Sequence, residues 1–442
     1  MARASRPDTG AIVTREGGPW SATSFVLIAW VALLAADRID FLGGNAPFTL
    51  PPYLVLTPVV LALEGLRRIL TRSAITIPRA AGWYGVLALT LVSLAIASVF
   101  TSPELGVSAP RVVLFVVQVL SSFAVVLVVA DRSDIHSLLD RGAVVGLLLF
   151  VLFDVLQLAW LLGRVPEYLR LGPISIHIIG YTYGAFIPRL SGMVADQNRA
   201  GIPLLFFAWA VATRPRLGPR RGYLVLAGVL LLLTLSRSAM LAAAATIVVV
   251  ILEQRIRRIA PALVLAALVS MVGVLTAVLA SPTLRDALLS SAQPLASRVS
   301  LEEGSSKVHL VVLERGIDVA TASVPRAALG LGFGSAYSVL QDVFPGQRYG
   351  NFHSLYVTIL AETGVFALLA LLLMIGVPVF RGGPYRPVVV GMAVFNLFYQ
   401  AITDPAFWTV LALAWMTLSP WVQRKRSHAG STLRRRSTIP AA

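Results

Sequence analysis

His353 stands in Tyr349-Gly350-Asn351-Phe352-His353-Ser354-Leu355-Tyr356, where a long polar stretch meets a long apolar one. Imidazole is the side chain whose ordinary pKa lies nearest neutrality, so a histidine there can do acid–base chemistry beside a membrane. If Ser354 caps the helix that follows, the helix dipole lowers the histidine pKa and favours the neutral form, which can accept a hydroxyl proton. Arg237 lies between two serines, Ser236-Arg237-Ser238, in a short break between apolar runs. A guanidinium fixed at headgroup depth suits a phosphate or diphosphate. The bland alternative is an interfacial arginine whose head reaches water. Arg189, Asn198 and Arg199 share a second polar segment, and Arg315 and Arg348 lie in the stretch that ends at His353. Glu362 lies about eight residues into the following apolar run, roughly 12 Å along a helix. Asp154 lies inside another run. Charges at such positions are costly and hence paired or functional, and for these two both readings stay open.

Other polar residues carry less. Of the five histidines, His136 and His428 read as inert, and His177 and His309 as ordinary loop polarity. Gly330-Leu331-Gly332-Phe333-Gly334 lacks the Lys-Ser/Thr of a phosphate-binding loop and reads as a close-packed turn. Lys307–Val324 carries apolar Val308, Val311, Val312 and Ala320 between charges, which predicts an amphipathic helix. No Asp-x-Asp and no metal-ligand spacing occurs, so no metal and no cofactor is expected. There are no cysteines, which excludes thiolate chemistry and disulfides.

The elements that must position these groups are membrane spans. The chain has 442 residues, 57% of them hydrophobic and only 13% charged, with a mean hydropathy of +0.80. Apolar runs long enough for a hydrocarbon core recur throughout. An all-α polytopic membrane protein of about twelve transmembrane helices is expected, with spans near 21–36, 48–63, 81–100, 112–130, 142–162, 202–213, 223–235, 239–252, 261–280, 354–380, 387–402 and 406–422. Around them lie a polar tail at 1–20, an outer loop at 163–201, a large and partly helical loop at 281–353 between spans nine and ten, and a basic tail at 423–442. The first run has no small-residue cleavage site close behind it and reads as an uncleaved span.

Charge orients this array. The net charge of +16 reads as membrane topology rather than nucleic-acid binding, because basic loops stay in the cytoplasm. With both termini inside, inner segments hold 24 of the 37 Lys and Arg, and the short outer connections hold only Arg38, Arg111 and Arg237. Every chemically suggestive group then faces outward, His353 and Arg237 together.

Three stretches resemble the bacterial O-antigen ligase and O-antigen polymerase superfamily. They are Arg189-Leu190-Ser191-Gly192 with Asn198-Arg199-Ala200-Gly201; Leu235-Ser236-Arg237-Ser238-Ala239; and Arg315, Pro325, Gly330-Leu331-Gly332 with Phe352-His353-Ser354-Leu355 and Ala361-Glu362-Thr363-Gly364. Where relatives often carry Asn after the histidine, this chain has Ser354. The resemblance implies a glycosyltransferase of the bacterial inner membrane, facing the periplasm. It would move glycan from an undecaprenyl-diphosphate carrier to an acceptor hydroxyl, without metal and with inversion at C1. Arg237, helped by Arg189, Arg199 or Arg315, would hold the diphosphate, and His353 would orient or deprotonate the acceptor. Asn198, Glu362 and Arg348 would support them. The acceptor is a second lipid-linked glycan in a polymerase and another molecule in a ligase. The rival from another class is a transporter or flippase of lipid-linked glycan, which would line a midplane path with ionisable groups.

Overall fold

A computed structural model describes residues 22–43, 49–75, 77–183, 187–213, 220–253, 304–344 and 350–418. Arg348, His428, the run at 261–280, the loop residues 281–303 and both tails lie outside the described residues.

Apolar runs become helices here because only internal hydrogen bonding satisfies a backbone in lipid. In chain order the helices are α1 (Ala22–Ala32), α2 (Pro52–Thr71), α3 (Arg79–Val99), α4 (Leu105–Val129), α5 (Ile135–Leu161), α6 (Gly201–Ala212), α7 (Arg221–Leu233) and α8 (Arg237–Leu252). They continue as α9 (Gly304–Thr321), α10 (Val324–Leu329), α11 (Ala336–Val343), α12 (Leu355–Arg381), α13 (Arg386–Phe398) and α14 (Pro405–Thr417). Among the described residues α3, α4, α5 and α12 are long and apolar enough to cross a membrane, and six shorter apolar helices pack beside them. Trp83, Val86 and Leu89 of α3, Leu148 and Leu152 of α5, and Phe366 and Leu369 of α12 are exposed on the outside of the bundle. So large an apolar exterior is the mark of a lipid-facing surface. The protein is a mostly helical membrane protein.

The two ends of the bundle differ. One end collects ion pairs: Arg68 with Asp131 at 2.6 Å, Arg132 with Glu64 at 3.3 Å, Arg220 with Asp140 at 2.7 Å, and Arg386 with Glu253 at 3.2 Å. These join the end of α2, the starts of α5, α7 and α13, and the end of α8, so those helices alternate in direction. Small residues let helices meet closely. A Cβ on Gly391 of α13 would lie 2.0 Å from Thr246 Oγ1 of α8, and one on Gly201 of α6 would lie 2.3 Å from Ala239 Cβ.

The opposite end carries five short strands, four of them in the expected loop at 163–201 and one just after the first expected span. They are β1 (Ile39–Asp40), β2 (Tyr168–Leu171), β3 (Ile174–His177), β4 (Tyr181–Tyr183) and β5 (Ile187–Arg189). The first three form an antiparallel sheet in the order β1-β3-β2, with Ile39 opposite Ile176 and Arg170 opposite Ser175, and β4 pairs with β5. The hairpin was available to pattern reading: two short alternating stretches flank Gly172-Pro173, and Gly172 turns with φ +62°. On this sheet His177 stacks on Tyr168 and lies 3.2 Å from Glu167, consistent with ordinary loop polarity.

Candidate active site

Arg237 opens α8. Leu235 adopts φ +50°, a left-handed conformation uncommon outside glycine, and turns the chain sharply out of α7. Ser236 then caps α8, its Oγ accepting from the Ala239 N–H at 3.3 Å. Arg237, itself half-buried, is therefore the first residue of a fixed, electropositive helix start. The Arg189 segment lies directly against this turn. Leu190 N–H donates to Leu233 O at 3.1 Å, and Arg189 Nε donates to Thr234 O at 3.0 Å. Arg189 Nη2 donates to Asn198 Oδ1 at 2.8 Å, and Ser236 Oγ reaches Asn198 O at 3.5 Å. Two of the resembling stretches thus form one structure.

Buried groups of α5 and of the segment just before β1 hold that loop from below. Asp154 Oδ1 accepts from Gly192 N–H at 2.8 Å, and Gln157 bonds both Gly192 O and Ser191 N–H. Gly192 has φ +56°, and a Cβ there would lie 2.0 Å from the Phe150 ring. Arg38 donates to Val194 O and to Ser191 Oγ, each at 2.8 Å. Asp154 is therefore a loop-positioning group.

His353 is fixed from the other side. Its φ is +54°, and Asn351 Oδ1 accepts its N–H at 2.8 Å. Ser354 occupies the N-cap position of α12, but its Oγ donates to Asn396 O at 3.3 Å instead of capping, so the expected serine cap is not formed. Leu355 N–H donates to Tyr399 O at 3.0 Å, which ties the start of α12 to the end of α13. The His353 ring stacks on His309 of α9, with centroids 3.9 Å apart and planes at 18°. His309 is thus more than the loop polarity expected of it. Tyr399 lies 5.7 Å away on another side, and its hydroxyl donates to Asp196 Oδ2 at 2.5 Å. Burial and the Asp196 carboxylate raise the Tyr399 pKa, so this phenol keeps its proton and donates. Burial, then repulsion from His309, pushes the His353 pKa down to about 3, with Asp196 opposing.

Asp196 is the hinge between the two halves. Its Oδ1 accepts from Asn198 N–H at 2.7 Å and Arg199 N–H at 3.3 Å, while Oδ2 holds Tyr399. Neither Asp196 nor Tyr399 stands out in the sequence. The one available signal is Asp196-x-Asn198, the spacing of an Asx turn. Arg199 turns away from the Arg189–Asn198 side; it forms an ion pair with Asp37 and donates to Thr403 Oγ1 at 2.9 Å.

The large loop packs onto α12. Glu362 Oε2 accepts from Gly334 N–H at 2.9 Å and Oε1 from Ala336 N–H at 3.0 Å. Gly332 N–H donates to Glu362 O at 3.0 Å, and α12 breaks at Gly364, with φ +84°. Glu362 thus clamps the glycine turn, which is close-packed as the sequence reading has it. Arg111 adds a bond to Gly334 O at 2.9 Å. Arg315, half-buried on α9, follows Val312 and precedes Gly316, where a Cβ would lie 2.8 Å from Phe352. Among the described residues no group of three or more His, Asp or Glu side chains could hold a metal ion.

Residues 222–372, about a third of the chain, match the family model described as O-Antigen ligase. Over this segment the chain is similar to the O-antigen ligase family. The O-antigen ligase segment contains Arg237, His309, Arg315, His353 and Glu362, and it ends within α12. The loop with Arg189, Asp196 and Asn198 precedes it, so half of the geometry described above lies outside the matched region. No curated protein matches the chain. The match carries the coarse reading of an O-antigen ligase-type membrane glycosyltransferase.

Proposed function

We propose that the chain transfers glycan from an undecaprenyl-diphosphate carrier to an acceptor hydroxyl, on the outer face of the bacterial inner membrane. The observation that supports this is one convergence at the strand-bearing end of the bundle. The Arg189–Asn198–Ser236 bonds fix Arg237, and Asp196 links the same loop through Tyr399 to His353. Phosphate recognition and a proton acceptor thus share a single scaffold.

The acceptor oxygen bonds to the sugar C1 as the C1–O bond to the diphosphate breaks. The electron pair leaves on the phosphate oxygen, and Arg237, with Arg189 and Arg315, stabilises that growing charge from fixed positions. Arg199 is committed to Asp37 and Thr403 and serves the loop rather than the diphosphate. His353 orients the acceptor hydroxyl and takes its proton. An imidazole whose pKa lies near 3 is a weak base on its own, and the negative diphosphate beside it raises that value when the donor binds. Attack from the side opposite the leaving diphosphate gives inversion, and the arginines carry the charge without a metal.

The transporter reading lacks its expected signature among the described residues. Asp154 and Glu362, the acids within the spans, are each bonded to loop amides at the strand-bearing end, and the ion pairs gather at the other. Purified protein given the lipid-linked donor and acceptor in EDTA should transfer glycan, with transfer lost in Arg237→Ala and His353→Ala. Full activity in both variants would remove the proposal. Glycan analysis after deletion of the gene separates polymerase from ligase: single units retained without longer chains mean polymerase, and unattached lipid-linked polymer means ligase.

A further inference from the structure

A cavity of about 230 Å³ lies on the far side of the Asp196–Arg199 loop, between the end of α1, the start of α2, α4 and the start of α14. Its polar wall is Asp37, Tyr53, Gln118, Arg199, Thr403 and Asp404. Leu34 and Leu114 supply an apolar side. Its rim includes the exposed Ala195 and Thr49, at the strand-bearing end of the bundle. Tyr53 and Gln118 are almost fully buried, at 1% and 4% exposure. They lie beside each other, the Gln118 amide within hydrogen-bonding reach of the Tyr53 oxygen, and Gln118 Oε1 has no hydrogen-bond partner among the described residues. Gln118 is oriented by its other amide atom, Nε2, which donates to Thr403 O at 3.2 Å. Buried polar atoms are almost always paired, so an unpaired amide carbonyl next to a buried phenol on one cavity wall points to a ligand that can both donate and accept.

We propose that this cavity is a carbohydrate subsite that seats one uncharged or amino-bearing sugar ring of the glycan. The inference rests on the glycosyl-transfer reading above for the source of the glycan. Sugar hydroxyls both give and take hydrogen bonds, which matches the Tyr53 hydroxyl, the unpaired Gln118 Oε1 and the carboxylates of Asp37 and Asp404. The C–H face of a ring suits Leu34 and Leu114. At about 30 Å³ per water the cavity has room for some seven or eight waters, comparable with a single ring and larger than a lone structural water needs. A phosphate or uronate fits poorly, because the wall has two carboxylates and its guanidinium is already held by Asp37 and Thr403. The same loop carries Asn198 toward Arg237 and Asp196 toward Tyr399, so a ring seated against Arg199 would register the glycan on the reacting centre.

The test is binding of the oligosaccharide released by mild acid from the cell's own lipid-linked glycan, measured by calorimetry on the full-length protein in detergent. Wild type should bind saturably. Tyr53→Phe, which removes only the hydroxyl, should weaken binding at least tenfold with a melting temperature close to that of wild type. Ala195→Trp, which obstructs the rim without removing a side-chain hydrogen bond, should do the same, and Tyr168→Phe on β2 should bind as wild type. Absence of binding by wild type, or binding as tight as wild type by Tyr53→Phe or by Ala195→Trp, overturns the subsite. The transfer reading is judged separately. If transfer needs Arg237 and His353 while Tyr53→Phe binds normally, the subsite fails and transfer stands. If Tyr53 governs binding while Arg237→Ala and His353→Ala keep full transfer, the subsite stands and that mechanism fails.

Discussion

Arg237 and Arg189 should respond differently to substitution, because Arg237 opens α8 while Arg189 is bonded into the turn before it. Loss of a preorganised donor to a developing oxyanion costs about 100- to 1,000-fold in kcat, and that is the drop expected for Arg237→Ala. Arg189 spends Nε on Thr234 O and Nη2 on Asn198 Oδ1. Lysine cannot reproduce that fork, so Arg189→Lys should lower kcat although charge is retained, and Asn198→Ala should produce a similar defect. His353 gives a pH prediction. Its pKa is held near 3, so the neutral form persists at every pH above that value. The kcat/KM profile, which reports the free enzyme, should be flat from about pH 5 to 8 and lack the usual histidine limb near 6.5. His309 is one cause of the lowering, so His309→Asn should move the acid limb of kcat/KM upward, toward but not reaching the ordinary value, since burial remains. An unmoved limb would mean that the 3.9 Å stack has no electrostatic consequence. Arg237 is conspicuous in the sequence because it interrupts an apolar pattern, and His353 because it stands where a polar stretch gives way to an apolar one. His309, Asp196 and Tyr399 were not, because stacking and a bond between residues 203 positions apart leave no local trace.

At the scale of elements, the site depends on turns held by buried carboxylates. Glu362→Ala would leave the Gly334 and Ala336 amides unpaired, at about 1–3 kcal/mol for each buried donor. Glu362→Gln keeps one acceptor and should cost less. Both should free the glycine turn, and the expected readout is a lower melting temperature for Ala than for Gln, with activity falling in the same order. Gly364→Ala should be worse than either, since its φ of +84° disfavours a side chain and a Cβ would lie 2.1 Å from Ala328 O. A melting temperature unchanged in Glu362→Ala would show that the turn is held by other contacts. The sequence pointed to this turn because Gly-x-Gly-x-Gly is a local signal, and hydropathy, also local, marks the apolar runs, four of which fall in helices long enough to cross a membrane among the described residues. It left open whether Asp154 and Glu362 were catalytic, because a buried acid bonded to a distant loop amide has the same sequence appearance as a catalytic one. The hairpin of β2 and β3 was missed for a different reason: its alternation is short and sits between spans whose hydropathy dominates any reading.

For the whole molecule, the alternation of helix direction separates an ion-paired end from a strand-bearing end, and the site lies wholly at the latter. Arg67, Arg68, Arg132, Arg220 and Arg386 lie at the ion-paired end, and the positive-inside rule assigns such an end to the cytoplasm. Arg38 and Arg111, two of the few arginines expected in short outer connections, are fastened to loop carbonyls at the strand-bearing end. They are there for local structure, which is why they do not overturn the charge asymmetry. Orientation is directly measurable, because the chain contains no cysteine and any introduced thiol is unique. Leu171→Cys, in the exposed β2–β3 hairpin, should react with a membrane-impermeant maleimide in intact spheroplasts. Ser73→Cys, exposed just beyond α2 at the ion-paired end, should react only after permeabilisation. The opposite pattern would put Arg237 and His353 on the cytoplasmic face and end the outer-face proposal, while leaving the geometry of the site intact. The experiment thus separates two claims that the sequence presents as one: that these residues form a site, and that the site meets its lipid-linked substrate outside the cell.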